Sequence, residues 1–133
     1  MLYLDASALV KRYVKEEGSD LLLQAMDEAS AWSICRIGFV ETFRAVAMAA
    51  GRRGAKRVEA DWPSFDVVEV DAALSEHAAR LTLEAELRSL DALHLASALV
   101  LPQRNLTVAT WDTRLHSASR EHGLQTLPSA LPK

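Results

Sequence analysis

"LYLDASALV", residues 2–10, joins an apolar run of strand character to a short stretch of helical spacing, with an aspartate at the join. A strand that feeds straight into a helix is half of a βα unit, and the rest of the chain repeats the pattern. Residues 1–5 read as a strand. Ser7 reads as the cap of a helix over 8–15, since its hydroxyl can accept from a free backbone N–H. Gly18 and Ser19 break the chain, and Ser19 is placed to cap a helix running to Ala29. "AWSIC" (31–35) reads as a strand. "GFVETFRAVAMAAG" (38–51) reads as a long helix stopped by its terminal glycine. A short helical segment over 55–61 ends before Pro63. "FDVVEV" (65–70) is valine-rich and strand-like. Asp71 is placed to cap a helix over 72–87, and a further helix spans 90–101 before Pro102. "NLTVAT" (105–110) reads as a strand. A helix over 113–122 stops at Gly123, and "LQTLP" (124–128) reads as a last edge strand. Strands alternating with helices require crossover connections, which give a mainly parallel sheet covered on both faces. In such sheets functional groups gather beyond the carboxyl ends of the strands. Asp5 falls at one such end.

The 133 residues suit one domain, 1–133, with no repeat, linker or low-complexity tract. Half of the residues are hydrophobic and a quarter charged, a balance that supports a packed core and excludes disorder. No stretch approaches the roughly 18 apolar residues of a membrane span, and a strand at Met1 or Leu2 leaves no room for a signal peptide. The single cysteine, Cys35, fits a cytoplasmic protein and reads as a small core residue. The net charge of −3 does not suggest a nucleic-acid binder. Its distribution matters more. Setting aside four of the 18 acids as one site leaves the remainder balanced against 15 Lys and Arg. Local basic clusters then stand out at Lys11, Arg12 and Lys15, and at Arg52, Arg53, Lys56 and Arg57, as solvated helix faces or as phosphate contacts.

Four acids stand in apolar company. Asp5 ends the first strand. Glu41 lies in a helix where, from Ile37 to Ala50, only Arg44 is also charged. Asp91 opens a helix of Leu, Ala, His, Ser and Val. Asp112 follows the strand "LTVAT" with one residue between. Each has a local explanation. Asp5 and Asp112 suit helix caps, Glu41 can pair with Arg44 one turn on, and Asp91 suits the positive end of a helix dipole. Together they suggest more, because two lie at strand ends and two near the starts of helices that pack on the same sheet. Crowded carboxylates repel unless a cation joins them. Mg²⁺ or Mn²⁺, which prefer oxygen ligands, suit such a cluster, and the pairing suits metal-assisted phosphodiester hydrolysis. No glycine-rich phosphate loop, zinc-type His/Cys spacing or nucleophile elbow competes for the assignment.

The stretches "YLDASALVKRYVKEEGS", "VETFRAV", "LRSLDALHLASAL" and "VATWDTRLHSASREHGL" occur in an order and spacing that resemble the PIN domain family, and within it the toxins of VapBC-type toxin–antitoxin pairs. The likeness covers nearly the whole chain. It implies a three-layer α/β/α domain with a mainly parallel central sheet, and an acidic ribonuclease site dependent on Mg²⁺ or Mn²⁺. Carried over by position, Asp5, Glu41, Asp91 and Asp112 form the acidic quartet. Asp5, Asp91 and Asp112 would hold metal, and Glu41 would orient or activate water. Ser7 and Thr110 match positions that carry a small hydroxyl residue and can support the acids. The resemblance further implies structured RNA such as tRNA or ribosomal RNA as substrate, a homodimer, and a small cognate VapB-type antitoxin. Two features depart from the pattern. Trp111 stands where a small residue is common, either as a packed aromatic or as a platform for a base. The region from Gly51 to Asp66 is short for the family.

Arg88, just before the Asp91 helix, reads as a phosphate contact or as a solvated helix-end charge. His94 lies near Asp91 on the same helix face and reads mainly as a packed histidine. His77, His116 and His122 read as surface residues, and Trp32 and Trp62 as core or interface aromatics. Two other readings suit the same chain: a PIN-like RNA-binding or protein-interaction module whose acids are structural, and a metal-dependent DNA phosphohydrolase.

Overall fold

Side chains alternate across the first strand, and that alternation organises the molecule. The structure is a computed structural model and describes residues 1–132. In β1 (Leu2–Leu4), Leu2 and Leu4 point to one face of the sheet and Tyr3 to the other. α1 (Ala6–Tyr13) and α2 (Ser19–Glu28) follow, then β2 (Trp32–Cys35), α3 (Arg36–Asp61), a single 3-10 turn at Trp62–Ser64, and β3 (Phe65–Val68). α4 (Ala72–Glu84) and α5 (Ser89–Leu99) lead to β4 (Thr107–Ala109), α6 (Thr113–Glu121) and β5 (Gln125–Leu127). Leu2, Leu4, Ile34 and Ala109 pack under Leu9 and Tyr13 of α1, Leu22 and Met26 of α2, and Val46 and Val58 of α3. Tyr3, Cys35 and Val108 pack on the opposite face under Leu74 and Leu81 of α4, Leu95 of α5 and Leu115 of α6. The result is three layers, α/β/α.

The sheet order is β3-β2-β1-β4-β5, with all neighbours parallel. From β1 the chain steps outward to β2 and β3, then crosses back to β4 on the other side of β1. β1 and β4 therefore flank the point where the strand order reverses, the place where open α/β sheets form a crevice at the strand ends. Leu4 pairs with Ala109. That register sets Asp5 and Thr110 side by side immediately beyond the sheet.

Several boundaries differ from the sequence reading. Strands are trimmed to the residues that pair: 65–70 ends at Val68 and 105–110 spans only Thr107–Ala109. The helices expected over 72–87 and 90–101 span 72–84 and 89–99. α2 is capped by Gly18, at φ +92°, instead of Ser19, whose hydroxyl instead accepts from Glu16 N–H and donates to Val14 C=O. Gly51 breaks the long helix as expected, at φ 69° and ψ −168°; the second helical segment begins directly after it, before the expected residue 55, and the two are counted together as α3. His116, expected at the surface, is 5% exposed, with Nε2 2.7 Å from the Pro128 carbonyl. α6 packs against β5 at the sheet edge, and the chain just after β5 covers the ring.

Candidate active site

Asp5 caps α1. Its Oδ1 accepts from Ala8 N–H at 2.9 Å, so the helix begins at Ala6 and the cap lies two residues before the Ser7 expected from sequence. Ser7 sits inside the first turn instead. It donates to Asp5 Oδ1 at 2.7 Å and accepts from Trp111 N–H at 2.9 Å. Thr110 donates to Asp5 Oδ2 at 2.5 Å and accepts from Asp112 N–H at 3.1 Å. The two hydroxyls thus tie the end of β1 to the segment after β4. Asp5 is only 4% exposed. Burial pushes its carboxyl above the ordinary aspartate range; the nearby His94 and the bonds from Thr110, Ser7 and Ala8 pull it partly back.

Asp112 divides its carboxylate. Oδ1 caps α6 through Arg114 N–H and Leu115 N–H, both at 3.0 Å, while Oδ2 accepts from Arg88 at 3.3 Å. The same guanidinium reaches Asp91 Oδ2 at 3.3 Å. Arg88 is largely exposed, whereas Asp91 is buried in the first turn of α5. One positive charge therefore already spans the two carboxylates.

Glu41 finds its partner across the layers and not along its own helix. Its Oε1 lies 2.8 Å from His94 Nε2, and Arg44 is exposed without pairing to it. His94 Nδ1 lies 2.6 Å from the Tyr3 hydroxyl, which accepts from Cys35 N–H at 3.2 Å. His94 is 3% exposed and Tyr3 fully buried. Gly38, one turn before Glu41, leaves the space the ring needs: a Cβ there would stand 3.0 Å from His94 Cε1.

Three of the acids are linked by hydrogen bonds, Asp91 and Asp112 through Arg88 and Asp112 and Asp5 through Thr110, while Glu41 is held separately by His94. They do not converge into a closed cage. Among the described residues, no three Asp, Glu, His or Cys side chains are gathered closely enough to grip an ion by themselves. The donor set is nevertheless all oxygen, and a cationic group already lies between two of its members. That chemistry fits a hard divalent ion that keeps several waters.

Trp111 packs into the fold. Lys11 Nζ lies 4.8 Å above its ring, and the ring lies so close to Gly18 that a Cβ there would be 2.9 Å away. The basic cluster of the first helix is also partly spent, because Lys11 pairs with Glu16 at 3.0 Å and Arg12 with Asp61 at 2.9 Å. Arg52, Arg53, Lys56 and Arg57 are exposed. Tyr3 was missed by sequence reasoning, though its place two residues before Asp5 on a strand put both on one face.

The PIN domain family model matches residues 2–121. The chain is 36% identical over 140 residues to ribonuclease VapC45 of Mycobacterium tuberculosis, covering 98% of this chain and 97% of the relative. Among solved structures, Mycobacterium tuberculosis VapC20, described as a sarcin-ricin loop cleaving toxin, superposes with a TM-score of 0.75 at 17% identity, covering 89% of this chain and 95% of that one. A toxin–antitoxin complex from Klebsiella pneumoniae gives a TM-score of 0.69 at 18% identity, covering 85% and 88%. At such identities the structural matches speak for the shared fold.

Proposed function

The chain belongs to the PIN domain family, and from that premise we propose that it is a metal-dependent endoribonuclease, the toxin of a type II toxin–antitoxin pair. The observation that carries the reading is the set of acids beyond the carboxyl ends of β1 and β4, three of them joined by hydrogen bonds through Arg88 and Thr110. Asp5, Asp91 and Asp112 are the residues to hold Mg²⁺ or Mn²⁺. When bound, the ion supplies a water of lowered pKa and positive charge beside the phosphate. Ser7 and Thr110 hold the Asp5 carboxylate in place. Glu41 accepts the proton of the attacking water. Arg88, exposed at the rim, is placed to meet a phosphate of the RNA backbone. Trp111 would meet a base only by the part of its ring that Lys11 and Gly18 leave open. The substrate class is structured RNA such as tRNA or ribosomal RNA. The partner is a small cognate antitoxin, and the same reading carries a homodimer and a cytoplasmic location. No helix is long and apolar enough to cross a membrane among the described residues.

Cleavage of total RNA by purified protein tests this. Discrete fragments are expected with Mg²⁺ or Mn²⁺, and none with EDTA or from Asp91→Asn. A DNA arm in the same assay identifies a DNA phosphohydrolase. One observation favours a second reading, a binding module with structural acids: Asp5 and Asp112 both serve as helix caps. Asp91 and Glu41 cap nothing. If growth arrest by the expressed protein survives Asp91→Asn, the module reading stands instead.

A further inference from the structure

We propose that His94 is a positioning residue for Glu41: its Nε2–H, held in that tautomer by Tyr3, fixes the orientation of the carboxylate at the site. The proposal rests on the reading of Glu41 as the group that handles the water. An ionised carboxylate only accepts hydrogen bonds, so the nitrogen 2.8 Å from Glu41 Oε1 must carry a proton. In a neutral imidazole the other nitrogen is then an acceptor. The Tyr3 hydroxyl, 2.6 Å from Nδ1, already accepts from Cys35 N–H and has its own proton to donate there. The chain Cys35 N–H, Tyr3 O–H, His94, Glu41 therefore runs in one direction, from the backbone at the end of β2 to the acid on α3. It is anchored at its buried end and reaches solvent only at Glu41, whose side chain is 28% exposed. Glu41 Oε2 has no hydrogen-bond partner among the described residues and is the oxygen left for water.

The local geometry is built for this contact. Gly38 gives the imidazole room to lie against α3, with Glu41 one turn further along the same helix. Free rotation of a glutamate at a site wastes most encounters, and residues that orient a metal-site group are worth about 10–100-fold in activity.

Two substitutions separate orientation from packing. The amide nitrogen of His94→Gln reaches about as far as Nε2 and keeps the bond to Glu41, whereas that of His94→Asn reaches only as far as Nδ1. With enzyme in excess over total bacterial RNA and manganese(II) chloride, His94→Asn is expected to lower the maximal cleavage rate about 10–100-fold at an unchanged half-saturating enzyme concentration. His94→Gln is expected to stay much closer to wild type. Circular dichroism and a thermal melt confirm that both are folded. Independently, ¹⁵N NMR of the histidine ring, which needs no catalysis, is expected to show protonated Nε2 and bare Nδ1 in wild type. Equal losses in the folded Gln and Asn variants, or a proton on Nδ1 in the wild type, would overturn the proposal. Glu41→Gln is the reference. If it is inactive while His94→Asn cuts normally, the His94 role alone fails; if it cuts normally, the reading of Glu41 fails and this proposal with it.

Discussion

A single carboxylate, Asp5, ends β1, caps α1 and faces the site, and its environment makes a testable conflict between stability and function. Burial raises its pKa, so the folded state binds a proton more readily than the unfolded chain does. Its contribution is therefore favourable at low pH and is lost as pH rises through the folded-state value. Asn caps a helix as well as Asp does. In EDTA, Asp5→Asn is expected to raise the urea midpoint above wild type at pH 7–8, with the gap closing as pH falls through the raised pKa of Asp5. A gap that widened on acidification would contradict the assignment. Arg88 is the opposite case: two contacts at 3.3 Å, but on a side chain 64% exposed. Its removal is expected to cost under about 1 kcal/mol in a metal-free denaturant titration. At this scale the sequence showed which acids stand in unusual company, since carboxylates among apolar residues are visible in a string. It did not show that Asp5 rather than Ser7 is the cap, because the choice turns on which oxygen reaches Ala8 N–H. Nor did it show that Glu41 pairs with His94, 53 residues away, and not with Arg44.

Among the elements, α3 turns on a single glycine. Gly51 has a conformation, φ 69° and ψ −168°, that side chains rarely adopt, and nothing stands within 4 Å of where a Cβ would be. The cost of Gly51→Ala is thus backbone strain alone, about 1–3 kcal/mol, measurable as a shift in denaturant midpoint at constant slope. The glycine was legible as a break. The helical segment over 55–61 was legible too; that it starts directly after Gly51 was not. The far end of α3 is tied down by Asp61, whose Oδ2 accepts from both Arg12 and the Tyr13 hydroxyl of α1. Asp61→Ala leaves both donors without their acceptor and is expected to destabilise the fold by about 1–2 kcal/mol, given partial exposure of the ion pair. The helix ends at α4 and α5 fell short of the sequence estimate because apolar residues such as Leu87 and Leu101 belong to the core without belonging to a helix.

For the whole molecule, a strand order that reverses between β1 and β4 sets the ends of those two strands side by side, with Asp5 and Thr110 just beyond them. Linkage then predicts what metal does to the fold. An ion that binds the native state at about 100 times its dissociation constant adds about 2.7 kcal/mol. The melting temperature of wild type should rise on the order of 10 °C with saturating Mg²⁺ or Mn²⁺, and that of Asp91→Asn much less. Equal shifts in both would place the ion elsewhere.

The layered α/β architecture, the order of the elements and the presence of four acids in apolar company were all legible in the sequence. Hydrophobic periodicity and turn residues act locally, and an ionisable group in an apolar run is conspicuous without coordinates. The tertiary structure alone decided which groups meet: Thr110 and Ser7 on Asp5, Arg88 between Asp91 and Asp112, and Tyr3 behind His94 and Glu41. Most of these contacts join residues far apart in the chain, brought together by the register of parallel strands and the packing of α3 and α5 on opposite faces of one sheet. Spacing along a sequence carries no record of such distances.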